Sequence, residues 1–456
     1  MKKLYAILLF LGLGVTATAQ DPSAYFMEGA TFRSEWNPAF APLRGYVNIP
    51  ILGGIQLHTR GNLSLDKVFF PVNGKLQFLL NNDVPASLAL ADLSADNTFA
   101  LTNRINIIGF GAFTHNHRNF WSFDINLRTD AEVHVPYELL SFLKTGDDTQ
   151  IRNIQAAADS YLEAAFAYSF PIGSYIYLGI RGKFLAGVAR SRVNLDRFDA
   201  TLGEDSWTAN AHGSLEMTGL SADQKIDDQG DHSYDLGAFN FDKYSPSGYG
   251  FAFDIGATYN LLPNLQFSAS INDLGVLFWD KKRSQFGTLD EAIEFKGVEI
   301  TDEEVTNPRL DLDDLEFQVG EATGKKQMLH TSFNVGVEYD VWRHKIGFGV
   351  LYHGRMYEYE TLHNLTASVN FHPARWVCLT GSYSFCNNQS HAVGLAVNLC
   401  PSWINFYIAT NVLTGKKTPQ WLPIKQSQMS VTLGLGIPIG KRSHRIVAYI
   451  NRRDKR

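Results

Sequence analysis

Trp121, Phe123, Ile125 and Leu127 alternate residue by residue with Ser122, Asp124, Asn126 and Arg128, and a period of two this strict constrains the fold more than any other feature of the chain. A strand so patterned has one apolar face and one polar face. Phe333, Val335, Val337 and Tyr339 interleave with Ser332, Asn334, Glu338 and Asp340, and Leu365, Ala367, Val369 and Phe371 interleave with Asn364, Thr366, Ser368 and Asn370. The pattern returns at 251–259, 265–271, 393–399 and 431–437. Segments of about ten residues suit a tilted strand that crosses a bilayer, its apolar face toward lipid and its polar face toward a lumen.

A soluble β-sandwich alternates as well, so the connections decide between the two. Tight links at 171–174, 261–264, 341–344, 373–375, 400–402 and 438–442 take turns with longer ones, the largest at 188–248 and 273–329. Short turns at one rim and long loops at the other are the habit of outer-membrane barrels. Trp342, Trp376 and Trp403 all sit beside short turns, where an aromatic girdle would meet lipid headgroups. The expected fold is therefore all-β: a transmembrane outer-membrane barrel of antiparallel strands, with membrane lipids as its first partners.

About fifteen strands can be marked, from 46–58 to 443–450, and single-chain barrels take an even number. The segment 46–58 is the one to omit, because Pro50 and Gly53-Gly54 interrupt it. Fourteen strands result, with sixteen the next choice. Omitting that segment places both chain ends on the long-loop rim, which conflicts with short periplasmic turns.

Residues 1–19 read as an export signal: Lys2 and Lys3, an apolar run from Leu4 to Val15, and Ala17-Thr18-Ala19 before Gln20. No Cys follows that site, so no lipid anchor is expected. Beyond the signal no apolar stretch reaches the roughly eighteen residues of a membrane helix. The net charge of −6, without a basic stripe, excludes nucleic acid as a partner. Residues 46–456 form the barrel, and 188–248 and 273–329 read as exposed loops, the second acidic. Between 136 and 163 the period changes, and Tyr137, Leu139, Leu140 and Leu143 followed by an Ala-rich run predict two short helices.

Residues 20–45 hold Phe26, Phe32, Trp36 and Phe40 without sustained alternation, and Pro22, Pro38 and Pro42 disfavour strand or long helix. Such a segment needs an enclosed apolar surface, and the lumen is the one available. It is predicted to be a plug, with Trp36, Asn37, Pro38 and Phe40 as contact residues.

Chemistry-bearing patterns are sparse. His115-Asn116-His117 offers too few ligands for a metal. Asp311, Asp313, Asp314 and Glu316 lack the central Gly and distant Glu of a calcium loop. No Ser stands in a nucleophile-elbow setting, so neither catalytic residues nor metal nor cofactor is expected, and the protein is not expected to be an enzyme. Asp124, Arg128, Arg181, Lys183, Asp254, Glu338 and Asp340 fall on the lumen face, implying internal ion pairs or a water-filled path. If opposed residues of the hairpin around Asn388 sum to 778, Cys378 faces Cys400 within disulfide reach. Two reduced thiols are the other reading, with Cys386 outside any pair.

Asn37-Pro38-Ala39 and Asn272-Asp273-Leu274-Gly275 resemble segments of FadL-like outer-membrane barrels, including the PorV type of Bacteroidota secretion systems. The phrase Arg44-Gly45-Tyr46-Val47-Asn48-Ile49-Pro50 is similar to an uncharacterised Bacteroidota family of such barrels. The resemblance implies fourteen strands around a lumenal N-terminal plug. It also implies passage of small apolar molecules or, as the alternative, a non-enzymatic platform binding exported proteins at the cell surface. The acidic loops and polar lumen face depart from the transporter pattern.

Overall fold

A computed structural model of the protein describes residues 22–441 except 64, 73–74, 116–117, 146–148, 203–205, 227–229, 231, 242–245, 297–316, 343, 358–360, 387–389 and 414–428. The export signal, the strand expected at 443–450, most of His115–His117 and the acidic stretch 311–316 thus lie outside the described residues.

The wall begins with β1 (Gly45–Asn48) and β2 (Ile55–Gly61), two pieces of one interrupted strand. A small separate hairpin follows, β3 (Phe69–Val72) and β4 (Lys75–Phe78). Next come β5 (Asp96–Phe113), β6 (Phe120–Pro136), β7 (Thr149–Ile172) and β8 (Ile176–Leu202). Strands β9 (Ser206–Thr218), β10 (Leu220–Ile226) and β11 (His232–Phe241) precede β12 (Gly248–Leu262) and β13 (Leu265–Trp279). Then come β14 (Ser284–Lys296), β15 (Gln318–Gly320) and β16 (Lys325–Met328). The wall resumes with β17 (Ser332–Val341), β18 (Ile346–Met356), β19 (Thr361–Ala374), β20 (Val377–Cys386), β21 (Ser390–Leu399), β22 (Asn405–Leu413) and β23 (Met429–Ile439).

Each wall strand pairs antiparallel with its wall neighbours, and β23 returns to pair with β1 and β2. The result is a closed barrel of 14 strands. Its faces follow the pleat: on β12, Phe251, Phe253 and Ile255 are 53%, 54% and 60% exposed, while Ala252 and Asp254 are 0% and 1%. An apolar exterior around a polar interior is stable only in lipid. The protein is an outer-membrane barrel.

The strand omitted at 46–58 is therefore part of the wall. Its interruption is bridged by Ile49 N–H to Leu435 O at 3.1 Å and Leu435 N–H to Leu52 O at 2.8 Å, so Pro50, which cannot donate, sits where no ladder bond is required. With it included, Gly45 lies opposite Ile439 and Tyr46 opposite Gly111, and both ends of the wall fall on the short-turn rim. This removes the conflict over the chain ends.

Three further expectations are corrected. Tyr137–Thr145 is helical, but the Ala-rich run after it belongs to β7. Pairing along both edges, with β6 and β8, outweighs the helix preference of Ala156, Ala157 and Ala158. The regions 188–248 and 273–329 carry strands where loops are expected: β8 runs for 27 residues, roughly 90 Å at about 3.3 Å per residue. Beyond the membrane it exchanges partner β12 for β9, and β9, β14, β15, β11 and β10 continue the sheet. Phe142, Ile151, Leu215, Leu289 and Phe317 give this extension an apolar core of its own. Finally, opposed residues of β20 and β21 pair Cys386 with Ser390, so Cys378 faces Asn398 and not Cys400. Among the described residues no disulfide forms, and all three thiols are buried.

Candidate functional site: the plugged lumen

Two short helical turns, Pro22–Tyr25 and Arg33–Trp36, organise the N-terminal segment inside the barrel. Tyr25, Phe26, Phe32, Trp36 and Phe40 are buried together with Tyr407 and Leu351 of the wall. Rings of Tyr25 stand edge-on to Phe26, Trp36 and Phe40 at 5.2, 5.7 and 5.2 Å. Each buried aromatic contributes on the order of 2 kcal/mol of apolar transfer.

An irregular segment enclosed in the lumen must also satisfy its main chain. The Trp36 carbonyl accepts from Ser270 Oγ at 2.6 Å, Asn272 Nδ2 at 2.8 Å and Asn334 Nδ2 at 2.9 Å. Asn398 and Asn405 donate to the carbonyls of Glu28 and Gly29 at 3.1 and 3.0 Å. Asn37 donates to the carbonyls of Ala257 and Ala269, both at 3.2 Å, and its Oδ1 accepts from Ala39 N–H at 2.9 Å, closing a local turn. The polar wall face is in this sense a template for the plug backbone.

Close approach also dictates glycine. A Cβ on Gly179 would lie 2.0 Å from the Pro38 carbonyl carbon, and one on Gly256 would lie 2.0 Å from Asn37 Oδ1. Trp36, Asn37, Pro38 and Phe40 are all at the plug–wall contact, with the Arg33 guanidinium 4.0 Å above the Phe40 ring.

Asn272-Asp273-Leu274-Gly275 forms a bulge: Phe253 pairs with Leu274 and Ile255 with Ile271, so Asn272 and Asp273 together oppose Asp254. Asp273 adopts φ +60. The bulge turns Asn272 to the plug and Asp273 to the charges, while Leu274 is exposed on the lipid face. The hub at mid-barrel joins four cations, Arg104, Arg128, Arg181 and Lys183, to four carboxylates, Glu35, Glu163, Asp254 and Asp273. Arg128 grips Asp273 with both terminal nitrogens at 2.8 and 3.1 Å. Glu35 belongs to the plug, so its 3.0 Å pair with Arg104 ties plug to wall. Arg104, Glu163 and Glu35 escaped the sequence reading; the alternation through 104–113 was the signal that could have placed Arg104.

Of the other predicted charges, Asp124 lies within electrostatic reach of the hub's Arg181, Glu35 and Arg104. Asp124 accepts from Tyr46 Oη at 3.5 Å. Near the short-turn rim Glu338 pairs with Arg33 of the plug, and Asp340 meets His344 Nδ1 at 2.5 Å. There Glu28 Oε2 lies 2.7 Å from His344 Nε2. Burial opposes ionisation of Glu28, yet His344 and His372 outweigh it and hold the carboxyl well below its ordinary range. The Glu28 carboxylate, against the opposing effect of burial, lifts His344 to about 11. A cavity of about 130 Å³ opens beside these groups, between plug and wall. Trp342, Trp376 and Trp403 are 68%, 49% and 70% exposed around the same rim.

No curated protein matches this chain. Among solved structures it is similar to a FadL homologue of Pseudomonas aeruginosa, at 8% identity and a TM-score of 0.41, covering 93% of this chain and 94% of that one. It is similar to the toluene transporter TodX of Pseudomonas putida, at 8% identity and 0.37, over 92% and 93%. A third likeness is to the translocator domain of the autotransporter NalP from Neisseria meningitidis, at 8% identity and 0.32, over 92% and 97%. A sequence family also matches, across residues 38–411, from the plug to the strand before the closing one. The chain belongs to that family, the Family of unknown function (DUF5723).

Proposed function

We propose that this barrel is a FadL-like, non-enzymatic passage for small, largely apolar molecules across the outer membrane, with the plug as its gate. The supporting observation is the cavity of about 130 Å³ at the plug–wall boundary, lined in part by Phe26, Phe40, Leu262 and Leu265. It is similar in size to a cavity of about 150 Å³ that admits benzene. The charged hub closes the path above it, so transit requires the plug to shift. The plug is held without covalent links, by hydrogen bonds, ion pairs and ring contacts, each of modest net strength. Deleting residues 22–42 from the folded, inserted barrel should raise single-channel conductance in planar bilayers. Equal tightness of the intact and deleted proteins, both folded, removes the gate and with it this reading.

A second reading, a PorV-like platform for exported proteins, is favoured by the extramembrane sheet of β8, β9, β14, β15, β11 and β10 with its own apolar core. Removing β9–β11 would abolish such docking while leaving solute passage unchanged.

A further inference from the structure

We propose that Glu28, His344 and His372 form a binding site for a divalent transition metal of the zinc class, which bolts the plug to the periplasmic rim. One ligand atom from each residue lies within 4.8 Å of the others. His344 Nε2 and His372 Nε2 are 2.7 and 3.6 Å from Glu28 Oε2. Two ligands sharing one tetrahedral zinc, each about 2.0–2.1 Å from it, are about 3.3 Å apart. The separations of 2.7 and 3.6 Å are within a few tenths of an ångström of that spacing, and the widest, 4.8 Å, closes by about 1.5 Å.

The surroundings also fit a metal. His344 Nδ1 is held by Asp340 Oδ2 at 2.5 Å, which leaves Nε2 facing Glu28. A carboxylate on the second ring nitrogen is the usual support of a metal-bound imidazole. His372 stacks on His344 with ring centroids 4.8 Å apart and an interplanar angle of 16°, so one ring must turn about its Cβ–Cγ bond for both in-plane Nε2 lone pairs to meet at one ion. Both ring nitrogens of His372 are buried with no hydrogen-bond partner, a costly state for a polar group. A metal at Nε2 satisfies one of them. Glu28, His344, His372 and Asp340 all line the cavity beside the plug, which supplies an entry path and room for a water as fourth ligand.

Glu28 belongs to the plug, and the two histidines come from the β17–β18 turn and from β19. The ion therefore joins three segments that hydrogen bonds, ion pairs and a ring contact now hold together.

The test uses the untagged full-length barrel, folded in detergent and freed of metal by chelation. Calorimetry with Zn²⁺ should give one equivalent bound, and Co²⁺ should give the absorption bands of a low-symmetry nitrogen–oxygen site. His344→Ala and His372→Ala should each weaken Zn²⁺ binding at least tenfold, and Asp340→Asn roughly tenfold through the orienting contact. Heat-dependent gel mobility verifies folding, and His372→Gln, which keeps the side-chain bulk, replaces the alanine variant if that one fails to fold. Absence of stoichiometric Zn²⁺ binding to the folded wild-type barrel overturns the proposal, as does equal binding by the two histidine variants.

Discussion

Asp254 and Asp273 share one ammonium group: Lys183 Nζ lies 2.8 Å from the first carboxylate and 2.6 Å from the second. The Asp273 N–H also donates to Asp254 Oδ1 at 2.7 Å. Replacing Lys183 with Met leaves two buried carboxylates face to face. Loss of one partner from a buried charge network costs about 3–5 kcal/mol. Equilibrium urea unfolding in detergent micelles should show Lys183→Met destabilised by that amount, and adding Asp273→Asn should recover part of the loss. A Lys183→Met midpoint equal to wild type would mean that water reaches the hub.

Gly179 faces the plug where any side chain collides with main chain. Gly179→Ala should unseat Pro38, expose residues 22–43 to protease and raise conductance, with the wall strands intact by circular dichroism. A collision 2.0 Å from a carbonyl carbon leaves no rotamer to relieve it. Gly182, with nothing within 4 Å of its Cβ position, is the control, and Gly182→Ala should behave as wild type.

The β20–β21 register can be read with thiols. Cys378 should cross-link to a cysteine placed by Asn398→Cys, since opposed residues in an antiparallel ladder lie within disulfide range. In the wild-type chain, oxidation should leave Cys378 and Cys400 both alkylatable after unfolding. Mass spectrometry of peptic fragments distinguishes the outcomes, and a native Cys378–Cys400 bridge would refute the register.

The wall was legible because its signal is local: a lipid face and a lumen face force alternation wherever both are present. Strand ends were less so, because β8 passes Gly187 without a break only by taking β9 as a new partner, and no residue of β8 announces that exchange. Ala156–Ala158 misled for a related reason, small side chains being tolerated in a strand flanked on both edges. The hairpin of β20 and β21 was anticipated, but the sum chosen for its opposed residues was two too large, enough to put Cys400 where Asn398 stands. The plug contacts at Trp36 to Phe40 could be anticipated from composition, since four large rings need cover. Glu28, His344 and His372 could not, because three segments meet there only after the barrel closes. The left-handed φ of +50 at Trp342 and +63 at His344, uncommon for such residues, marks that turn only in three dimensions.

The split first strand bears on the order of assembly. The wall shuts where β23 meets β1 and β2, along one ladder of four pairs and another of five, joining Gly45 to Ile439 across nearly the whole chain. Contacts so distant in sequence carry the largest closure entropy and form late. The plug lies immediately before this seam, so it must settle against β12, β13 and β17 while the cylinder is still open, or enter afterwards through the short-turn mouth. A chain that zips first and seats later passes through an unstoppered pore. A plug that seats before the seam closes leaves no stage at which the cylinder stands open.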